Sequence, residues 1–96
     1  MAELTLISSY DRSLQPLVHA ALSNEVRLLE SGIRRTQRRL DEYETKHKLS
    51  TNEFIRRFEL NEFDETLDLL EWIGEHRMLE SLQEERTILQ GIKFAN

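Results

Sequence analysis

A heptad-like stripe in the first half of the chain constrains the fold more than any other sequence feature. Apolar or small side chains recur there at alternating intervals of four and three residues, at Leu22, Val26, Leu29, Ile33, Thr36, Leu40, Tyr43 and His47. This spacing is typical of a helix that packs along one face. No proline interrupts it, although Gly32 lowers the helix propensity by about 1 kcal/mol relative to alanine. We predict a helix over residues 14–47, with Ser13 as the N-cap and Pro16 in the first turn.

A helix of this length is too long for a compact protein of 96 residues. At 1.5 Å per residue its stretch from Pro16 to His47 alone spans about 48 Å, whereas a compact chain of this size has a radius of gyration near 13 Å. The helix therefore either forms one arm of an elongated hairpin or pairs with another chain. We call its six strongest apolar positions the apolar seam and expect a homodimer to form through them: Leu22, Val26, Leu29, Ile33, Leu40 and Tyr43.

A second helix start follows in the segment Leu49-Ser50-Thr51-Asn52-Glu53-Phe54. Ser50 can accept a hydrogen bond from the Glu53 amide while the Glu53 carboxylate reaches back to the Ser50 amide, which is the capping box. Leu49 and Phe54 stand where they can form a hydrophobic staple across that cap. The segment predicts a short helix over residues 51–60.

The third predicted helix covers residues 65–90, after a short break. Asp64 is placed to cap it, and Gly91 to end it. Two long helices joined by a short one predict an all-α fold, an elongated antiparallel hairpin with a coiled-coil-like seam. We expect one domain over residues 1–96, with residues 1–12 as a flexible or extended arm. Within that arm, Glu3–Ile7 fits a strand or a frayed helix equally well.

The composition excludes several classes of protein. Three glycines and one proline supply too few turns for a β-sandwich, and the absence of cysteine excludes disulfide scaffolds and thiolate chemistry. We find neither an apolar run long enough to span a membrane nor the basic start of a signal peptide. We therefore expect a cytoplasmic protein without membrane contact.

Charge is divided unevenly along the chain. Residues 1–48 carry a net charge of +1 and residues 49–96 a net charge of −6, which sum to the −5 of the whole chain. The arginine cluster consists of Arg34, Arg35, Arg38 and Arg39. The acidic face consists of Glu59, Glu62, Asp64, Glu65, Asp68, Glu71, Trp72 and Glu75. Such asymmetry indicates two surfaces that meet each other or that serve different partners.

Each charged surface has more than one interpretation. The arginines can form a solvated face with Glu30–Arg34 and Arg38–Glu42 pairs, bind an acidic protein or the acidic helix, or bind nucleic acid phosphates. Trp72 can be a binding anchor ringed by carboxylates or a core residue of the hairpin.

Catalytic and cofactor motifs are absent from the sequence. Glu44-x-x-His47 has the spacing of a di-iron ligand pair, but it occurs once, and a histidine near a helix C-terminus explains it more simply. No glycine lies in a phosphate-binding loop, and no Gly-x-Ser-x-Gly occurs. We expect a protein that is not an enzyme and has no metal or cofactor.

Part of the chain resembles the small helical antitoxins of prokaryotic toxin–antitoxin pairs. The resemblance covers about residues 43–80 and rests on Tyr43-Glu44-x-Lys46-x-x-Leu49-Ser50-Thr51-x-Glu53-Phe54, Arg57-Phe58-Glu59 and Asp68-x-x-Glu71-Trp72. It implies a non-catalytic protein whose acidic face covers the basic active site of a cognate toxin. Two alternatives remain open: a homodimeric coiled-coil scaffold, and a nucleic-acid-binding protein that uses the arginine cluster.

Overall fold

Three helices make up the protein in a computed structural model that describes residues 1–10 and 12–94. Helix α1 spans Gln15–His47, α2 spans Thr51–Glu59 and α3 spans Leu67–Gln90. No strand occurs among the described residues. The predicted all-α hairpin of a long, a short and a long helix is confirmed.

The two long helices pack against each other in antiparallel register. Tyr43 near the end of α1 stacks on Trp72 near the start of α3, with ring centroids 5.7 Å apart. Farther from the turn, a side chain at Gly32 would meet Leu82 at 3.3 Å, so glycine at this position permits the close approach of the helices. Residue numbers therefore fall along α1 as they rise along the part of α3 that faces it.

The apolar seam lies inside this hairpin. Leu29, Ile33, Leu40 and Tyr43 are buried within a single chain, while Leu22 and Val26 are half-buried. Four of the six side chains are thus covered within one chain, and the expectation that the seam joins two copies stays a prediction. The heptad pattern recorded a helix–helix contact and carried no information on whether the second helix belongs to the same chain.

The N-terminal end of α1 differs from the prediction. Leu14 occupies the N-cap position and no side chain caps the helix, so Ser13 does not serve as predicted. Pro16 lies in the first turn, where its missing N–H leaves no hydrogen bond unmade. At the other end Lys48 adopts a left-handed conformation with φ of 53°, and its N–H donates to the Glu44 carbonyl.

Helix α2 uses half of the predicted capping box. The Ser50 hydroxyl accepts a hydrogen bond of 3.2 Å from the Glu53 amide. The Glu53 carboxylate turns away from Ser50 and binds Arg56 and Arg57 instead. These two guanidiniums lower the pKa of Glu53 to about 2, Arg56 contributing more. The ionic partners one turn ahead outcompete a single neutral amide for the carboxylate.

Helix α3 begins two residues later than predicted. Thr66, not Asp64, is the N-cap, and its hydroxyl accepts from the Leu69 amide at 3.2 Å. Asp64 lies outside the helix, in the connection where the preceding Phe63 packs on Phe54, with ring centroids 5.6 Å apart. Gly91 ends α3 in a right-handed conformation, with its N–H donating to carbonyls of the last turn.

The hairpin is elongated, with principal extents of 60, 25 and 18 Å and a radius of gyration of 19.0 Å. Helix α2 packs at the turn end, where the aromatic residues gather. Residues 1–10 adopt neither helix nor strand and are exposed, and residue 11 of the predicted arm lies outside the described residues. None of the described helices combines the length and the apolarity that a membrane span requires.

Candidate functional site

An aromatic core fastens the three helices together at the turn of the hairpin. Trp72 is completely buried and stacks on Phe54, with ring centroids 3.9 Å apart. His47 stacks at 5.1 Å from the same indole, and Tyr43 packs alongside. The site therefore contains one ring from α2, one from α3 and two from the end of α1. Trp72 belongs to this core and offers no surface to a partner, which corrects its predicted place as an anchor of the acidic face.

Thr51 supplies the only polar partner that the indole has among the described residues. Trp72 Nε1 donates a 3.0 Å hydrogen bond to Thr51 Oγ1, and both side chains are buried. The Thr51 amide in turn donates to Glu44 Oε2 at 2.6 Å. We did not predict this role of Thr51 from the sequence, because only the neighbouring Ser50 was considered as the capping residue. The sequence did contain a signal for this role. Thr51 carries a hydroxyl at the first helical position, directly after the N-cap Ser50, on the side of α2 that faces the core.

The inner part of the acidic face is bound by α1. Asp68 lies 3.1 Å from Lys46 Nζ and 2.6 Å from His47 Nε2. Glu71 accepts a long hydrogen bond of 3.3 Å from the Tyr43 hydroxyl. Glu75 lies 3.8 Å from Arg39. These three carboxylates therefore each contact α1, although Glu71 itself remains exposed.

Two side chains at the contact between α1 and α3 have pKa values that differ from their ordinary values. The hydrogen bond with His47, and then that with Lys46, lowers the pKa of the Asp68 carboxyl below its ordinary value. Burial raises the pKa of the Tyr43 phenol, against the lowering effect of Arg39, whose guanidinium carbon lies 5.9 Å from the ring centroid. The charges of α1 and α3 thus complement each other along the turn end of the hairpin.

Glu44 and His47 face different neighbours. Glu44 accepts from the Thr51 amide, and His47 contacts Asp68 and the Trp72 ring. Their spacing therefore reflects two separate structural contacts. Within residues 1–10 and 12–94, no group of three or more His, Asp or Glu side chains is arranged to hold a metal ion.

The outer part of the acidic face is the acidic tip, which consists of Glu59, Glu62, Asp64 and Glu65. All four residues are exposed and lie at the end of α2 and in the connection to α3. In the part of the chain that the structure describes, no Lys, Arg or His nitrogen lies within 4 Å of their carboxylates. Leu60 lies among them and is 60% exposed. The tip therefore presents four unpaired carboxylates and one exposed leucine.

The arginine cluster also divides into one residue that contacts other side chains and three that have no ionic partner among the described residues. Arg39 contacts Glu75 and Tyr43, as described above. Arg34, Arg35 and Arg38 are exposed, and none has a carboxylate within 4 Å among the described residues. The predicted Glu30–Arg34 and Arg38–Glu42 pairs do not form. One arginine of the cluster thus lies near a carboxylate of α3, and the other three, within the described residues, do not.

Comparison with models of protein families, with curated proteins and with solved structures found no match for this chain.

Proposed function

We propose that this chain is an antitoxin-like interaction protein that binds and neutralises a cognate protein through the acidic tip. The observation that carries the proposal is the separation of the acidic face into a bound part and a free part. Asp68, Glu71 and Glu75 are used to hold the hairpin together. The four carboxylates of the acidic tip make no such contact and remain available to a basic surface.

The position of the acidic tip supports a role in binding. The tip is the connection between α2 and α3, and Phe54, Phe58 and Phe63 pack together directly beneath it. A loop held in this way loses less conformational entropy on binding than a free loop does. Exposed carboxylates on a supported loop also attract a positively charged partner before contact, which speeds association.

The chemistry of the tip favours a basic protein surface as the partner. Four carboxylates beside an exposed leucine suit a surface that combines lysine or arginine with an apolar contact. The proposal carries no catalytic step, and it places the chain in the cytoplasm of a prokaryotic cell, beside the partner that it neutralises. The resemblance of residues 43–80 to antitoxins agrees with this interpretation.

The test is co-expression with the product of the adjacent gene. Expression of that product alone should arrest growth, and co-expression of this chain should restore it. A variant with Glu59→Gln, Glu62→Gln, Asp64→Asn and Glu65→Gln should fail to restore growth, because it removes the four free charges while it leaves the aromatic core intact.

A matched control separates the acidic tip from the net charge of the chain. Glu3, Glu25, Glu84 and Glu85 are exposed, lie away from the tip and make no ion pair among the described residues. Their combined replacement by glutamine changes the net charge equally and should leave the rescue unchanged. An adjacent product that is harmless, or rescue by the tip variant at the wild-type level, contradicts the proposal.

The three free arginines support a second candidate function, which is binding of a nucleic acid backbone. Arg34, Arg35 and Arg38 lie within two turns of α1 and face solvent. If they neutralise three phosphates, the affinity between about 50 and 200 mM salt should fall about fortyfold for a short DNA duplex and about twentyfold for a single-stranded RNA. Their replacement by glutamine should abolish binding in a fluorescence anisotropy titration. Affinity that is independent of salt or of these arginines excludes this candidate.

A further inference from the structure

An exposed apolar stripe runs along the face of α3 opposite Trp72. Leu67, Leu70, Gly74 and Met78 follow each other at intervals of three and four residues and therefore share one face. Leu67 is 74% exposed, Leu70 45% and Met78 51%. We call these four residues the outer stripe. Neither α1 nor α2 covers it.

Gly74 at the centre of the outer stripe has no role inside the chain. A glycine within a helix costs about 1 kcal/mol relative to alanine. At Gly32 the close approach of Leu82 explains that cost. A side chain at Gly74 would meet nothing within 4 Å, so no contact inside the hairpin requires glycine there. A glycine between exposed apolar residues permits another helix backbone to approach closely.

The chain exposes more surface than its mass predicts. Its accessible area is 7931 Å², whereas a compact protein of 11.4 kDa exposes about 5,800 Å². The excess of about 2,000 Å² is larger than the roughly 800 Å² that each partner contributes to a specific interface. Both the elongated shape of the hairpin and the exposed residues 1–10 contribute to this excess, and it leaves room for an interface on α3.

The outer stripe is complementary to itself. If two copies of α3 cross in antiparallel orientation at Gly74, Leu70 of one copy meets Met78 of the other, because each lies four residues from the crossing point. Arg77 then stands at the level of Glu71 of the second copy, since each lies three residues from Gly74. A parallel crossing would instead place Glu71 near Glu71 and Arg77 near Arg77. Charge therefore favours the antiparallel arrangement, which a two-fold axis produces.

We propose that a second copy of this chain docks on the outer stripe, with the two α3 helices crossing antiparallel at Gly74. The resulting dimer has two acidic tips, and neither tip lies in the crossing. The proposal is independent of the proposed function, because a monomeric antitoxin and a dimer without an antitoxin activity are both conceivable results of the separate tests.

Light scattering coupled to size exclusion tests the proposal on the purified chain. The wild type should elute with twice the 11.4 kDa chain mass. Gly74→Gln should raise the dimer Kd at least about tenfold, which corresponds to 1.4 kcal/mol, because its side chain blocks the crossing. The same substitution should preserve or raise the thermal midpoint of a fully dissociated sample, since glutamine favours the helix more than glycine does. Leu70→Glu should dissociate the dimer in the same way.

Two further variants make the test specific. Leu17→Glu is the matched control, because Leu17 is a 55% exposed leucine on α1 and lies outside the stripe. It should leave the dimer intact. Arg77→Glu should weaken the dimer, because it sets a carboxylate at the level of Glu71 of the second copy, and adding Glu71→Arg to the same chain should restore it. A wild type with the mass of one chain, or a dimer that persists in Gly74→Gln and Leu70→Glu, overturns the proposal.

Discussion

At the residue scale, Thr51 shows how one hydroxyl joins two helices. Its side chain accepts from Trp72 on α3, and its backbone amide donates to Glu44 on α1. Every buried side-chain nitrogen and oxygen in the described residues has a hydrogen-bond partner. The indole N–H satisfies this condition through Thr51. The aromatic core is thus fixed in its orientation by one hydrogen bond and not by packing alone.

Replacement of Thr51 by valine should destabilise the protein by about 1 to 3 kcal/mol, because the buried Trp72 N–H then has no acceptor. Thr51→Ser retains the hydroxyl and should cost less than Thr51→Val. Urea denaturation followed by tryptophan fluorescence measures both values. Equal stability of the valine and serine variants would show that the hydrogen bond contributes nothing.

At the element scale, the pairing of α1 with α3 depends on charge as well as on the apolar seam. Lys46 and His47 lie in the last turn of α1, where the positive charge of Lys46 also interacts favourably with the helix dipole. Asp68 lies in the first turn of α3, where a carboxylate has the corresponding advantage. The contact between these residues therefore stabilises both helix ends and the hairpin at once.

This pairing makes the stability depend on pH on the acid side. Because the pKa of Asp68 is lower in the folded chain than in the unfolded chain, its contribution is complete above about pH 4 and is lost as the pH falls through the folded value. Glu53, with a pKa of about 2, likewise loses its stabilising contribution as the pH falls. The thermal midpoint should fall as the pH is lowered from about 4 to 2.

The variant Asp68→Asn should reduce that fall, and it should lower the midpoint near neutral pH because it removes the charge that Lys46 contacts. Glu84→Gln is a suitable control, since Glu84 is an exposed carboxylate of α3 that makes no ion pair among the described residues. Circular dichroism melts at several pH values measure the effect. An Asp68→Asn melt that loses as much stability as the wild type over this range would contradict the role of Asp68.

At the scale of the whole molecule, the order of the helices was predictable from the sequence. Which charged side chains contact each other across the hairpin was not. The heptad spacing in α1 and the cap at Ser50 are local patterns, and each predicts an element within a few residues. The fate of a carboxylate depends on the register across the hairpin. Asp64 and Asp68 are four residues apart in one acidic run, yet Asp68 meets Lys46 and His47 while Asp64 faces solvent.

The same limit applies to the apolar seam. A heptad pattern reports that a helix packs on another helix, and the partner can belong to the same chain or to a second copy. Trp72 illustrates the point for a single residue. Its sequence left two interpretations open, a buried anchor ringed by carboxylates and a core residue, and its place in the core depends on Phe54 and Tyr43, which are 18 and 29 residues away in the chain.

The most direct test of the central claim is a calorimetric titration of the purified chain with the purified product of the adjacent gene. We expect the variant of Glu59, Glu62, Asp64 and Glu65 to bind at least about tenfold more weakly than the wild type, a loss of 1.4 kcal/mol or more. The control variant of Glu3, Glu25, Glu84 and Glu85 should bind as the wild type does. Equal affinities of the two variants would contradict the assignment of binding to the acidic tip.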